Sequence, residues 1–367
     1  MKTEPRILFN ALWKGVILFL LANLLFAALQ PGGLSRVSVY HSVFPGRERL
    51  PFGENIQRSY NLSLYDLDAM FASLALRPEK PADEFRVLVV GDSSVWGTLL
   101  RNDETLPGQL DALGLTACDG RQVRVYNLGY PTMSLTKDLM LIERAAAYQP
   151  DLIIWPVTLQ SFPRSLQLES PIAANNRAEI IRLTKKYGLV LDTAGLPEAT
   201  FWERTIIGQR RALADLARLQ LLALPWAATG IDQDYPESYT PAARDLESDA
   251  SFAGLSGPEL PADALAWDVL RAGMAAAGQT PVLLVNEPIL ISRGDNSDVR
   301  YNFFYPRWAY DAYRAQLAEM AAAEGWDYLD LWNAVPEERF TNSAVHLDPQ
   351  GVGMMVELLA PRLTCDR

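Results

Sequence analysis

Histidine and cysteine are nearly absent from this 367-residue chain, which has 2 of each: His41 and His346, Cys118 and Cys365. That scarcity excludes a cysteine zinc knuckle, a disulfide framework and a histidine-rich metal site, and neither a metal nor another cofactor is expected. It also leaves few side chains able to act as a base near neutral pH. Positive charge is short as well, with 33 Lys and Arg against 44 Asp and Glu, a formal net charge of −11 and a pI near 4.8. Nucleic-acid binding is disfavoured, because neutralising phosphates takes a basic surface. The same shortage disfavours a polybasic reader of lipid headgroups. No internal repeat and no low-complexity tract occurs. What is present is a 49% apolar, 21% charged composition, that of a folded protein with sequence for about two domains.

One long apolar run stands out, Ile7–Leu29, whose single charge is Lys14. At 23 residues it is long enough to cross a hydrocarbon layer of roughly 30 Å as a helix, with Lys14 reaching toward one face. A buried core helix would be relieved by polar positions. A secretory signal cleaved after Ala28 would put bulky Phe26 where a small residue is wanted. The expectation is an uncleaved single-pass anchor over residues 1–30 and a stem over 31–84. Flanking charge leaves the orientation open, since Lys2, Arg6 and Lys14 precede the stretch while Arg36, Arg47 and Arg49 follow it. The body is placed outside the cytoplasm because the segment resembles signal anchors.

After the proline-bearing linker Arg77–Phe85 the pattern changes. Arg86–Val90 is a short β-branched run of the kind that forms a strand buried on both faces, and a helical pattern follows near Glu104–Leu113. The alternation recurs: strand Val123–Leu128, helix Leu135–Tyr148, strand Leu152–Val157, strand Pro281–Asn286, helix Trp308–Glu324, strand Tyr328–Leu331. Strands alternating with helices predict a layered α/β domain on a mostly parallel sheet, with ligands bound beyond the carboxyl ends of the strands.

Two segments at such ends carry reactive side chains. Gly91-Asp92-Ser93-Ser94 follows the first strand, where a serine on a tight turn presents its hydroxyl beside free backbone N–H groups. Glycine, aspartate and serine are also ordinary turn residues. His346 is the only histidine in the α/β part of the chain, and a histidine is the usual base for activating a serine, provided a third group sets its tautomer.

Together these blocks resemble the SGNH or GDSL hydrolases. Gly91-Asp92-Ser93 with Gly97 is similar to the family's first block. Asn127-Leu128-Gly129 is similar to the second, and His346 in HLDPQG ahead of a helix at Val352–Leu359 is similar to the last. The resemblance covers roughly residues 85–161 and 280–363 and lies in the order of blocks. It implies a three-layer α/β/α domain over residues 85–367 and a covalent mechanism with Ser93 as nucleophile and His346 as base. The oxyanion donors it implies are the N–H groups of Ser93 and Gly129 and a side-chain amide.

Two positions depart from the pattern. Gln160 stands where the family has its oxyanion-donating asparagine, one methylene longer with the same amide. Ser343 stands where the family has an aspartate three residues before the histidine. The groups left to orient His346 are Asn342, acting as an amide does in cysteine-protease triads, Asp330 and Asp348.

A stretch over 162–279 is outside the family core and is expected as a helical insertion, with a charged helix at Arg177–Tyr187 and an increasingly apolar one within Thr200–Ile231. The latter is either a helix packed under its own subdomain or a lid or membrane-facing surface. Pro225 argues against a second span there. The aromatic cluster Tyr301–Tyr310 is either packing or the wall of a cleft.

The resulting expectation is serine-dependent acyl-ester chemistry on an envelope molecule. Transfer of the acyl group to water makes an esterase, and transfer to a sugar hydroxyl makes an O-acyltransferase. The resemblance favours O-acyl (acetyl) transfer to, or hydrolysis from, a cell-surface polysaccharide, beside a membrane-bound O-acyltransferase as partner. A free-standing esterase or lipase and a catalytically silent binding or scaffold domain are the alternatives. Cys118 and Cys365 are compatible with a disulfide or with free thiols.

Overall fold

The computed structural model describes residues 5–29, 34, 37, 39–44, 64–196, 198–233 and 238–365; part of the expected stem, with Arg36, Arg47 and Arg49, lies outside them, as does Lys2. Among the described residues, three helices precede the sheet: α1 (Pro5–Leu29), α2 (Val39–Val43) and α3 (Leu67–Ser73). The body then runs β1 (Glu84–Gly91), α4 (Ser93–Trp96), α5 (Leu106–Ala112), β2 (Gln122–Gly129), α6 (Leu135–Ala145) and β3 (Leu152–Val157). It continues through α7 (Pro171–Asn175), α8 (Arg177–Tyr187), α9 (Arg210–Thr229) and α10 (Trp267–Ala276). The last elements are β4 (Val282–Asn286), α11 (Arg307–Glu324), β5 (Asp327–Asp330) and α12 (Pro349–Leu359).

The five strands among the described residues pair in parallel in the order β2-β1-β3-β4-β5. The run from Val87 to Val90 is apolar throughout because both faces of β1 are covered. Val87 and Val89 join the cluster under α5 and α12, with Leu110 and Val356, whereas Leu88 and Val90 join the opposite cluster with Leu139, Leu270 and Tyr313 from α6, α10 and α11. All four are fully buried, each contributing about 1.5–3 kcal/mol by removal from water. The chain moves outward from β1 to β2 and then returns to the other side of β1 for β3. The crevice at the carboxyl ends of β1 and β3 is therefore a topological switch point.

The expected strands all form: β1 and β2 run one or two residues longer at each end, β4 starts one residue later, β5 is displaced by one residue toward the N-terminus, and β3 and α8 begin and end where expected. Two boundaries differ from expectation. The body begins before residue 85, since Leu64, Leu67, Met70 and Phe71 on and around α3 lie in the main core. Arg86, buried beneath that entry, donates to Arg77 O, Tyr148 O and Glu84 and ties the linker to the sheet. The 162–279 stretch is not wholly an insertion either, because α10 packs beside α6 as the crossover that parallel β3 and β4 require. Gly273 allows that approach: a Cβ there would fall 2.3 Å from the Trp155 ring. Helix α9 continues through Pro225, which forgoes one ladder bond without ending the helix.

Cys118, in the connection from α5 to β2, is linked by a disulfide to Cys365 near the C-terminus. α1 is a helix with a mean hydropathy of 2.1 over Ile7–Leu29, and 11% of that window is buried, so it is not a core helix. Length and composition suit a membrane span and also suit a signal sequence.

Candidate active site

The site begins where β1 ends. Gly91 admits the tight turn, since a Cβ would lie 2.5 Å from Val95 Cγ2. Asp92 caps α4 by accepting the Ser94 N–H at 2.8 Å, and Gly97 closes the helix in the left-handed region at φ 85°. Ser93 is the first residue of α4, so its own N–H has no intrahelical acceptor and its hydroxyl faces the crevice.

His346 arrives from the loop between β5 and α12, pinned by the Thr341 N–H donating to His346 O at 2.8 Å. Its Nε2 lies 2.7 Å from Ser93 Oγ, and its Nδ1 lies 2.8 Å from Asn342 Oδ1. An amide oxygen only accepts, so Nδ1 carries the proton and the Nε2 lone pair faces the serine hydroxyl. The Thr341 hydroxyl donates to the same oxygen at 3.4 Å, consistent with that placement of the amide. Burial holds the imidazole's pKa down from 6.5 to about 4, leaving the ring neutral at neutral pH.

Of the three groups considered for orienting the ring, Asn342 is in contact and two carboxylates are engaged elsewhere. Asp330 accepts from Asn286 Nδ2 at 2.8 Å and from Arg314 at 2.6 Å. Asp348 caps α12 through the Gly351 N–H at 2.7 Å and pairs with Arg339 at 3.1 Å. Ser343 lines the crevice, but the residue before it holds Nδ1.

Gly129 also differs from expectation as an oxyanion donor. Its N–H donates to Asn127 Oδ1 at 2.8 Å, and the residue lies outside the crevice's lining. Glycine is required there for contact with α4, since a Cβ would sit 2.2 Å from Trp96 N. The turn that follows β2 lines the crevice instead, through Pro131, Thr132 and Met133. Gln160, in the turn after β3, lines it with Ser93 and His346; its backbone N–H donates to Tyr305 Oη at 3.4 Å. The crevice holds about 530 Å³, with Thr98, Glu169 and Ser170 adding polar wall and Leu166 and Phe304 apolar wall. Tyr301, Tyr305 and Tyr310 are buried, so of the aromatic cluster only Phe304 reaches it.

A buried acidic pair behind the serine turn has no counterpart in the sequence reading. Glu287, the residue after β4, accepts from Ser94 Oγ at 2.5 Å and lies beside Asp92. Desolvation, and then the neighbouring Asp92 charge, push Glu287 well above the usual carboxylate range. Desolvation also raises Asp92, against the opposing pull of Lys137. Two such carboxylates share one proton. Placing it on Glu287 gives its Oε1, which otherwise has no partner, a hydrogen bond to Asp92. The fully buried Lys137 donates to Gly91 O at 2.6 Å and to Asp138 Oδ1 at 2.5 Å, completing the underside of the turn. A carboxylate at the end of a buried strand was the available signal for Glu287.

The serine thus follows the first strand and the histidine precedes the last helix, on one parallel sheet, as the block resemblance implies. No family model matches the chain, and no curated protein matches it. Among solved structures it is similar to a member of the lipolytic protein G-D-S-L family from Veillonella parvula, at 12% identity over 75% of this chain and 95% of that one, with a TM-score of 0.35. It is also similar to Est24, a carbohydrate acetylesterase from Sinorhizobium meliloti, at 12% identity over 76% of this chain and 97% of that one, with a TM-score of 0.34. A carbohydrate acetylesterase family member from Sinorhizobium meliloti is similar at 15% identity over 76% of this chain and 96% of that one, with a TM-score of 0.34.

Proposed function

We propose that this protein carries out acyl-ester chemistry through an acyl-enzyme on Ser93. The observation that carries the reading is the position of His346, whose two ring nitrogens bridge Ser93 Oγ and Asn342 Oδ1. As Oγ attacks the ester carbonyl carbon, its proton passes to Nε2. The oxyanion is received by the Ser93 N–H and the Gln160 amide. Collapse expels the alcohol, which leaves with the proton from Nε2. An incoming water or hydroxyl then gives its proton to Nε2 and attacks the acyl carbon, and as the bond to Ser93 breaks the proton passes from Nε2 back to Oγ. Asn342 holds the tautomer but, unlike a carboxylate, adds no charge to favour the imidazolium.

For the acceptor, the hydroxyls of Thr98, Thr132 and Ser170 and the carboxylate of Glu169 offer hydrogen-bond partners to a hydroxyl-rich molecule such as a saccharide. For location, α1 serves as the anchor and the Cys118–Cys365 disulfide favours an oxidising compartment, hence a body outside the cytoplasm. A membrane-bound O-acyltransferase as acyl donor rests on the block resemblance alone.

The test is labelling with a serine-directed fluorophosphonate. The wild type should label, while Ser93→Ala and His346→Ala should not. A folded wild type that stays unlabelled would sink the reading in favour of a silent binding domain. Diversion of acetyl from a model ester to an added saccharide would identify a transferase; release into water alone would identify an esterase.

A further inference from the structure

We infer that residues 201–231 form a second membrane contact, seated in the headgroup layer of the bilayer that α1 crosses. The inference rests on reading α1 as an anchor and adds a platform that fixes how the body sits on the membrane.

The link is Asn23, the one polar side chain between Gly15 and Leu29. Its Oδ1 accepts the Ile207 N–H at 3.1 Å, while its Nδ2 donates to Phe19 O at 2.9 Å. An amide in hydrocarbon needs such partners, so the loop that satisfies Asn23 accompanies the helix to its depth. Asn23, Phe26 and Ala27, spaced i, i+3 and i+4, form the sheltered stripe of the last turns of α1, whereas their neighbours are exposed. Asn23 lies six residues before Leu29, roughly 9 Å of helix, within the depth at which amphipathic segments seat at the acyl boundary.

The loop and α9 carry the side chains such a position calls for. Trp202 is 74% exposed, Leu221 73%, Ile207 52% and Ile231 51%. The opposite side of α9 is occupied: Leu219 and Ala223 pack on Tyr40 of α2, and the Val39 N–H donates to Gln220 Oε1 at 2.7 Å. The same segment holds Arg204, Arg210, Arg211 and Arg218 against Glu203 and Asp215, an excess of basic charge in a chain of net charge −11. Tryptophan, aliphatic side chains and arginine are the composition of an interfacial segment on anionic lipid.

The full chain is reconstituted in phosphatidylcholine vesicles containing phosphatidylglycerol, with a nitrobenzoxadiazole probe on a cysteine introduced singly as Leu18→Cys, Trp202→Cys, Leu221→Cys or Leu113→Cys. Nitroxide-bearing lipid should cut emission at positions 18, 202 and 221 by about half or more and leave 113, on the α/β body, unchanged. Quenching at 18 without quenching at 202 and 221 overturns the platform and leaves the anchor. Absence of quenching at 18 overturns the anchor itself. Probes at 202 and 221 shielded from both lipid and aqueous quenchers would mean that a protein covers the face, which also overturns the inference. Asn23→Leu should weaken quenching at 202 several-fold while 18 stays quenched; unchanged quenching at 202 would refute the Asn23 link.

Discussion

Glu287, just after β4, and Ser94, beside Ser93, are joined by a 2.5 Å hydrogen bond across 193 residues of sequence. With the proton it shares with Asp92, Glu287 holds the serine turn from beneath. Glutamine reproduces a protonated Glu287, accepting from Ser94 and donating to Asp92. Glu287→Gln should therefore keep kcat/KM within about three-fold. Glu287→Ala, which leaves buried polar groups unpaired beside a cavity, should lose about 2–4 kcal/mol of stability. Equal damage from both would show that Glu287 is ionised. A carboxyl raised on folding contributes stability that is lost as pH rises above its unfolded value, so Glu287→Gln should gain on the wild type in alkaline melts.

His346 binds its proton more weakly in the folded protein than in the unfolded chain. As base, it should stay neutral well below pH 6.5, and the acid limb of fluorophosphonate labelling should fall near pH 4. A limb near 6.5 would contradict the buried geometry. The linked stability runs the same way: it is full above pH 6.5 and declines as pH falls toward 4. The loss is about 2 kcal/mol at pH 5, and His346→Gln should remove it in urea titrations.

Asn342→Asp would set a carboxylate against Nδ1. The histidine pKa should rise by a unit or more, and the acid limb should move up with it. NMR titration of the ring proton measures the shift directly. An unmoved titration would mean that residue 342 does not hold the ring in solution.

Gln160 tests the proposed oxyanion role, because the residue lines the crevice with Ser93 while the Gly129 N–H is already engaged by Asn127. Gln160→Ala should lower kcat by about 10²-fold with little effect on KM, the pattern of a group acting in the transition state. A loss confined to KM would assign Gln160 to ground-state binding.

The layered fold was legible in the chain because a parallel strand covered on both faces must be apolar throughout. The run Val87–Val90 and the strand Leu152–Val157 carry that mark locally, as α8 carries its helical period. Ser93 and His346 were legible for a different reason: with one histidine in the α/β part, the composition left a single base to pair. Folding alone chose Asn342 over Asp330 and Asp348, since that choice depends on which loop turns toward Nδ1 and which carboxylates arginine and a helix cap engage first. It likewise gave the Gly129 N–H to Asn127, brought Glu287 under Ser94, drew α3 into the core and joined Cys118 to Cys365 across 247 residues. Periodicity and spacing record what lies within a few turns of a residue; contacts made when distant strand ends converge on one crevice leave no such local mark.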